Sequence, residues 1–99
     1  MNLKVLLEDY NRSPAESSEF CLGEGNQVIF EVSDDFVRDL NILLNPVGKN
    51  QTNYTTMLIN LIFKADNYNW KKLHKIYPAE TFTIWCYKNV LGFTEQLKI

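Results

Sequence analysis

The chain has 99 residues, 45% hydrophobic and 13% aromatic, enough for one core without metals or disulfides, so a single domain over residues 1–99 is expected. Twelve acids against ten bases leave a formal charge of −2, which argues against a general polyanion binder, and no apolar run reaches the roughly 20 residues of a membrane-crossing helix. A single histidine excludes a multi-histidine metal site, and two cysteines without C-x-x-C spacing supply no zinc or redox motif.

The opening "NLKVLLEDY" reads as a short strand or a helical turn, and periodicity over so few residues does not decide between them. It lacks the apolar run of a signal peptide and meets charge at Lys4, Glu8 and Asp9, so a soluble cytoplasmic protein with reduced Cys21 and Cys86 is expected. Next, "SPAE" sets Ser13 as an N-cap, Pro14 at the first helical position and Glu16 three residues after the cap, which predicts a short helix over Ser13 to Leu22 stopped by Gly23. Ser17 and Ser18 are its weak point, since serine favours caps over helix interiors. "GEGNQ" reads as a turn and "QVIFEV", Gln27 to Val32, as a strand that needs a partner, pairing with "NLKVLL" if that is extended, and otherwise adding to another chain's edge or lying extended on the helices.

Ser33 then caps an amphipathic helix with Asp34 and Asp35 at its positive end, burying Phe36, Val37, Leu40, Leu43 and Leu44, and "NPVGKNQ" ends it. The strongest helical pattern follows. Tyr54, Met57, Leu58, Leu61, Ile62 and Ala65 form a broad apolar arc with Ile59 and Phe63 at its margins, opposite a polar stripe of Thr56, Asn60 and Lys64, which predicts a central helix packed on several sides. "DNYN" breaks the pattern, "WKKLHKIY" resumes it for two turns, and Pro78 opens a last helix to about Leu91, with Gly92 placed to end it.

Candidates for chemistry are few. His74 lies beside Trp70, Leu73 and Tyr77 and reads as a packed structural histidine, and Cys21 and Cys86, among apolar neighbours, read as buried inert thiols. The carboxylates read as helix starts and solvated ends, and the glycines form no phosphate loop, so no catalytic, metal-binding or cofactor-binding residue is assigned and no enzyme is expected. Lys71, Lys72 and Lys75 share one helical face with Lys64 nearby, which offers a polyanion contact with Trp70 and Tyr77 available for stacking, although such a face also serves simply as the solvated side of a helix. On the last helix Phe82, Trp85, Cys86 and Val90 take one face, leaving Ile84, Tyr87 and Leu91 on another as a candidate protein interface, unless "VLGFTEQLKI" folds back over them.

Charge divides along the chain. Residues 1–48 carry nine acids and three bases (−6), and residues 49–99 carry seven lysines and three acids (+4). Such a division fits halves that pack on each other, copies that associate head to tail, or one half that meets a charged partner.

In "FKADNYNWKKLHKIYP", Lys64, Ala65, Asp66, Asn69, Lys72, Leu73, Tyr77 and Pro78 give the pattern K-A-D-x-x-N-x-x-K-L-x-x-x-[FY]-P, followed by a helix carrying Tyr87. This third of the chain resembles the ending of small uncharacterised bacterial and prophage-encoded proteins. The resemblance implies a helix-turn-helix-like packing unit and no catalytic residues.

The expected fold is α+β and mainly α, with three or four packed helices and one or two short amino-terminal strands. The expected function is that of a non-enzymatic protein-interaction or adaptor protein of bacterial or phage type, binding a protein partner or its own copy. The alternative is a nucleic-acid-associated regulator using the lysine face. No membrane contact is expected.

Overall fold

The computed structural model describes residues 1–16, 18–44 and 53–98. The expected helix end at "NPVGKNQ", and Ser17 of the serine pair, fall outside them. The fold is α+β and mainly α. Among the described residues there are three strands, where one or two were expected, and five α-helices closed by a 3-10 turn over Phe93–Leu97.

The opening segment is both of its alternatives in succession. Strand β1 (Asn2–Leu6) alternates, turning Leu3 and Val5 inward and Asn2, Lys4 and Leu6 outward, and it runs straight into helix α1 (Leu7–Arg12). Glu8 and Asp9 favour α1 by standing at its positive end, and Arg12 in its last turn pairs with Asp9 at 2.8 Å.

Among the described residues of Ser13 to Leu22 there is no helix. Ser13 instead terminates α1, its N–H and its hydroxyl both donating to the Tyr10 carbonyl at 3.0 and 2.6 Å. The Glu16 N–H, which a capping box would direct to Ser13, donates to His74 Nε2 at 3.1 Å. A tertiary bond has taken the donor that the local motif needed. Chain that would have been helix becomes β2 (Cys21–Gly23), a three-residue edge strand.

Strand β3 (Gln27–Glu31) lies between β1 and β2 and pairs antiparallel with both, Leu3 opposite Phe30 and Leu22 opposite Val28. The β2–β3 turn requires left-handed backbone at Gly25 (φ 70°) and Asn26 (φ 57°), a conformation that glycine and asparagine tolerate best. The other side of β1 is closed differently. The Gln96 side chain accepts the Lys4 N–H at 2.9 Å and donates to the Lys4 carbonyl at 2.7 Å, standing in for a neighbouring strand.

Helix α2 (Asp34–Leu44) starts as expected, with Ser33 Oγ accepting the Phe36 N–H at 3.2 Å, and buries Phe36, Val37 and Leu40. Helix α3 (Tyr54–Lys64) is capped by Asn53, which accepts the Thr56 N–H at 2.9 Å, and α4 (Asn67–Ile76) by Asp66, which accepts the Asn69 N–H at 2.8 Å. Tyr77 both ends α4 and begins α5 (Pro78–Asn89), with Pro78 at the first position, where its missing N–H costs nothing. Helix α5 stops at Asn89, slightly short of the expected Leu91, and Gly92 takes the left-handed conformation that leads into the 3-10 turn.

The central helix is α5, not α3. It buries Ala79, Thr81, Phe82, Thr83, Ile84 and Cys86, which together leave it almost no polar face. Phe82 is the meeting point of the layers, with ring centroids 5.6 Å from Tyr10, 5.0 Å from Phe20 and 4.9 Å from Phe30. Those contacts join α1, the segment before β2, and the inner face of the sheet to α5. Helices α3 and α4 pack against α5 directly, and α2 packs on α3.

Candidate functional site

The residues assigned to a protein interface are not brought together. Ile84 is 1% exposed and belongs to the core, Tyr87 packs edge-on against Phe63 at 6.1 Å, and Leu91 alone is fully exposed. The reason is that α5 is buried on most sides, so the face assumed to be surplus is covered by α3. The Phe93–Leu97 turn does fold back, burying Phe93 and Leu97, but Leu91 is left in solvent.

The apolar surface that is exposed belongs to α3. Its buried side is Thr56, Leu58, Ile59 and Ile62, about a quarter turn from the expected arc. Tyr54 (69% exposed), Met57 (63%) and Leu61 (54%) consequently form a stripe on the outside. Thr56 can enter the core because its hydroxyl donates to the Asn53 carbonyl at 3.0 Å. The Tyr54 and Tyr77 hydroxyls are hydrogen-bonded, joining the start of α3 to the α4–α5 junction. That bond raises the Tyr77 pKa above the usual phenol value.

Lys64, Lys71, Lys72 and Lys75 are all exposed. Lys71, Lys72 and Lys75 border one groove of about 450 Å³ between α4 and the segment after α1, together with Pro14, Glu16, Tyr68 and His74, while Lys64 at the end of α3 does not line it. Lys72 lies over the Tyr68 ring at 4.2 Å. Of the stacking partners expected for this face, Trp70 is turned into the core. Trp70 is buried, its ring stacked on His74 at 4.8 Å, and the Tyr77 hydroxyl is engaged by Tyr54.

His74 is the buried centre of a closed network. Nε2 accepts the Glu16 N–H, so in the neutral ring the proton resides on Nδ1, which donates to Thr81 Oγ1 at 2.7 Å. Thr81 in turn donates to the Tyr77 carbonyl at 2.8 Å. Burial lowers the His74 pKa below 6.5, against the pull of the nearby Glu16 and Glu19 carboxylates. Both ring nitrogens are engaged within the protein, and the ring is stacked on Trp70.

The cysteines differ from expectation in one respect. Cys86 is buried, and burial, with the charge of Asp9, pushes its pKa well above the usual thiol range. Cys21 is exposed, because Phe20 turns into the aromatic cluster and alternation sends the next side chain outward. Neither is in a disulfide.

A second cleft, of about 510 Å³, was not foreseen. Arg12 from α1, Lys71 from α4 and Lys88 from α5 converge on it, with Trp70 and Trp85 as walls, and Ile62 and Ile84 also line it. Among the described residues no carboxylate lines it, although Asp9 pairs with Arg12. No sequence pattern announces this convergence, since its three cations come from three helices that only tertiary packing assembles.

Among the described residues, no group of three histidine, cysteine or acidic side chains is placed to hold a metal ion, and no helix is long and apolar enough to cross a membrane. Comparison with protein-family models, with curated proteins and with solved structures finds no match.

Proposed function

We propose that the chain is a non-enzymatic protein-interaction module, of the kind found in bacteria and their phages and working in the cytoplasm, which self-associates through α3. The observation that carries this reading is the exposed stripe of Tyr54, Met57 and Leu61 at spacing i, i+3, i+7, on a helix whose other side is core. A second copy is its natural occupant. An antiparallel two-fold pairing puts Met57 at the axis and Tyr54 against the partner's Leu61, and carries the two Lys64 charges to opposite ends. The three side chains offer on the order of 400 Å² per copy, about half of a standard interface, so the association is a weak, reversible one.

Sedimentation equilibrium from micromolar to millimolar chain tests this reading. Wild-type mass rises toward a dimer with concentration, and Leu61→Glu remains a monomer. A monomer throughout, or association untouched by Leu61→Glu, overturns it.

A second reading, a nucleic-acid-associated regulator, is favoured by the exposed row of Lys71, Lys72 and Lys75 on one groove. It requires RNA or DNA binding that weakens with salt and is lost in Lys72→Glu/Lys75→Glu.

A further inference from the structure

We infer that the cleft between α1, α4 and α5 is a site for a single nucleotide, its phosphate held by Lys71, Lys88 and Arg12 and its base laid against Trp85. The inference rests on neither the α3 stripe nor the lysine row, with which it shares only Lys71.

The first argument is electrostatic. In a chain with more acids than bases, three cations from three separate helices line one concavity that no described carboxylate lines. Cations lining one cleft give it a positive potential that raises the local concentration of anions.

The second argument concerns what each cation still has to give. Lys71 makes no ion pair or hydrogen bond among the described residues, so its ammonium is available. Lys88 donates only a long bond, 3.4 Å, to the Phe63 carbonyl and lies 4.9 Å from that residue's ring centroid. Arg12 gives one terminal nitrogen to Asp9, at 2.8 Å, and keeps other donors of its fork. A phosphate accepts from two ammonium groups and a guanidinium at once, whereas a lone carboxylate has fewer acceptor directions to share among them.

The third argument is the aromatic wall. Trp85 is half-buried and lines the cleft, and its stacking on Phe82, at 5.9 Å with an interplanar angle of 6°, fixes the orientation of the indole. A planar base on a tryptophan face beside cations is the usual way in which proteins hold unpaired nucleotides without reading their sequence. At about 510 Å³ the cleft has room for one nucleotide but not for a run of them.

The same chemistry reaches the cleft from two sources, a free mononucleotide or the phosphorylated end of a single strand. The test is a titration of the full chain, in low salt, with AMP, with inorganic phosphate alone and with a 5′-phosphorylated RNA octamer, followed by tryptophan fluorescence and calorimetry. AMP is expected to saturate one site per chain, and phosphate alone to bind about tenfold more weakly, because the stacking is lost. Lys71→Gln and Lys88→Gln, both at exposed positions, each weaken AMP about tenfold or more, whereas Lys72→Gln and Lys75→Gln leave it unchanged. Trp85→Phe retains a stacking face and binding within a few fold, whereas Trp85→Leu loses the preference for AMP over phosphate. A strand end as the source shows as octamer binding tighter than AMP with the same sensitivity to Lys71 and Lys88. Absence of saturable binding by all three probes, equal affinity for AMP and phosphate, or octamer binding that depends on Lys72 and Lys75 but not on Lys88 overturns the assignment.

Discussion

His74 shows how one side chain can redirect a stretch of chain. Its Nε2 takes the Glu16 N–H and its Nδ1–H is fixed by Thr81, so the buried ring fits only when neutral. The folded pKa lies below the unfolded value of about 6.5, so the unfolded chain binds more protons between the two values. The stabilisation is therefore complete above pH 6.5 and is lost as pH falls through the folded pKa. Urea denaturation should show wild-type stability decreasing from pH 7.5 to pH 5, and His74→Gln should be less stable at pH 7.5 by about 2 kcal/mol, with the gap narrowing at pH 5. A gap that widened toward pH 5 would mean that the folded state prefers the charged ring. The thiols provide a second check at this scale. Cys21 should react with a maleimide in the folded protein at the rate of a free thiol, and Cys86 only upon unfolding, giving two kinetic phases of equal size. Equal rates for both would contradict the burial of Cys86.

Among the elements, β1 depends on a side chain for one of its edges. Gln96 occupies both the donor and the acceptor of Lys4 across a sequence separation of 92 residues, so the 3-10 turn and the first strand are held together. Gln96→Ala should cost about 1 kcal/mol and speed hydrogen exchange at the Lys4 amide. Gln96→Glu should be no better, since a carboxylate accepts from the Lys4 N–H but repels its carbonyl. Unchanged exchange at Lys4 in both variants would show that the clamp does not hold the edge. The helices around it were readable to different degrees. Ser33 and Pro78 mark starts that the structure reproduces, because each start is settled within one turn of chain, whereas α4 begins at Asn67 behind the Asp66 cap, three residues before the expected "WKKLHKIY". Which face of α3 enters the core was not readable, because Thr56 satisfies its own hydroxyl and so competes with Tyr54, Met57 and Leu61 for burial. The capping box at Ser13 failed for the opposite reason, its Glu16 donor being taken by a residue 58 positions away.

At the scale of the whole molecule, the side-chain ion pairs seen among the described residues do not join the acidic half to the basic one. The side-chain ion pairs of Arg12 with Asp9, Arg38 with Asp35 and Asp39, and Lys98 with Glu95 each lie within one half of the chain. These local, mostly exposed pairs are worth little each, so thermal stability should change only slightly between low and moderate salt, and a large drop in calorimetric Tm would contradict that. The positive surplus of the second half is then free for Lys71 and Lys88 to share the basic cleft with Arg12. Mainly α character was legible from pattern, whereas the partners of the "QVIFEV" strand were left open and neither surface was foreseen. The cleft is an accident of no single segment, and the α3 stripe was read as core because apolar residues on a helix normally are. Helix α3 also connects them, since Ile62 lines the cleft while Met57 and Leu61 face outward, so a dimer through α3 carries two such clefts.

The geometry of that dimer can be trapped directly. In a Cys21→Ser background, which removes the exposed native thiol, Met57→Cys should form an intermolecular disulfide under mild oxidation, because the two-fold axis passes beside that position. Leu22→Cys, equally exposed but on the far edge of the sheet, should not do so at the same concentration. Rapid dimer formation by Met57→Cys alone is the predicted result, and cross-linking of Leu22→Cys at the same rate, or of neither, would contradict pairing through α3.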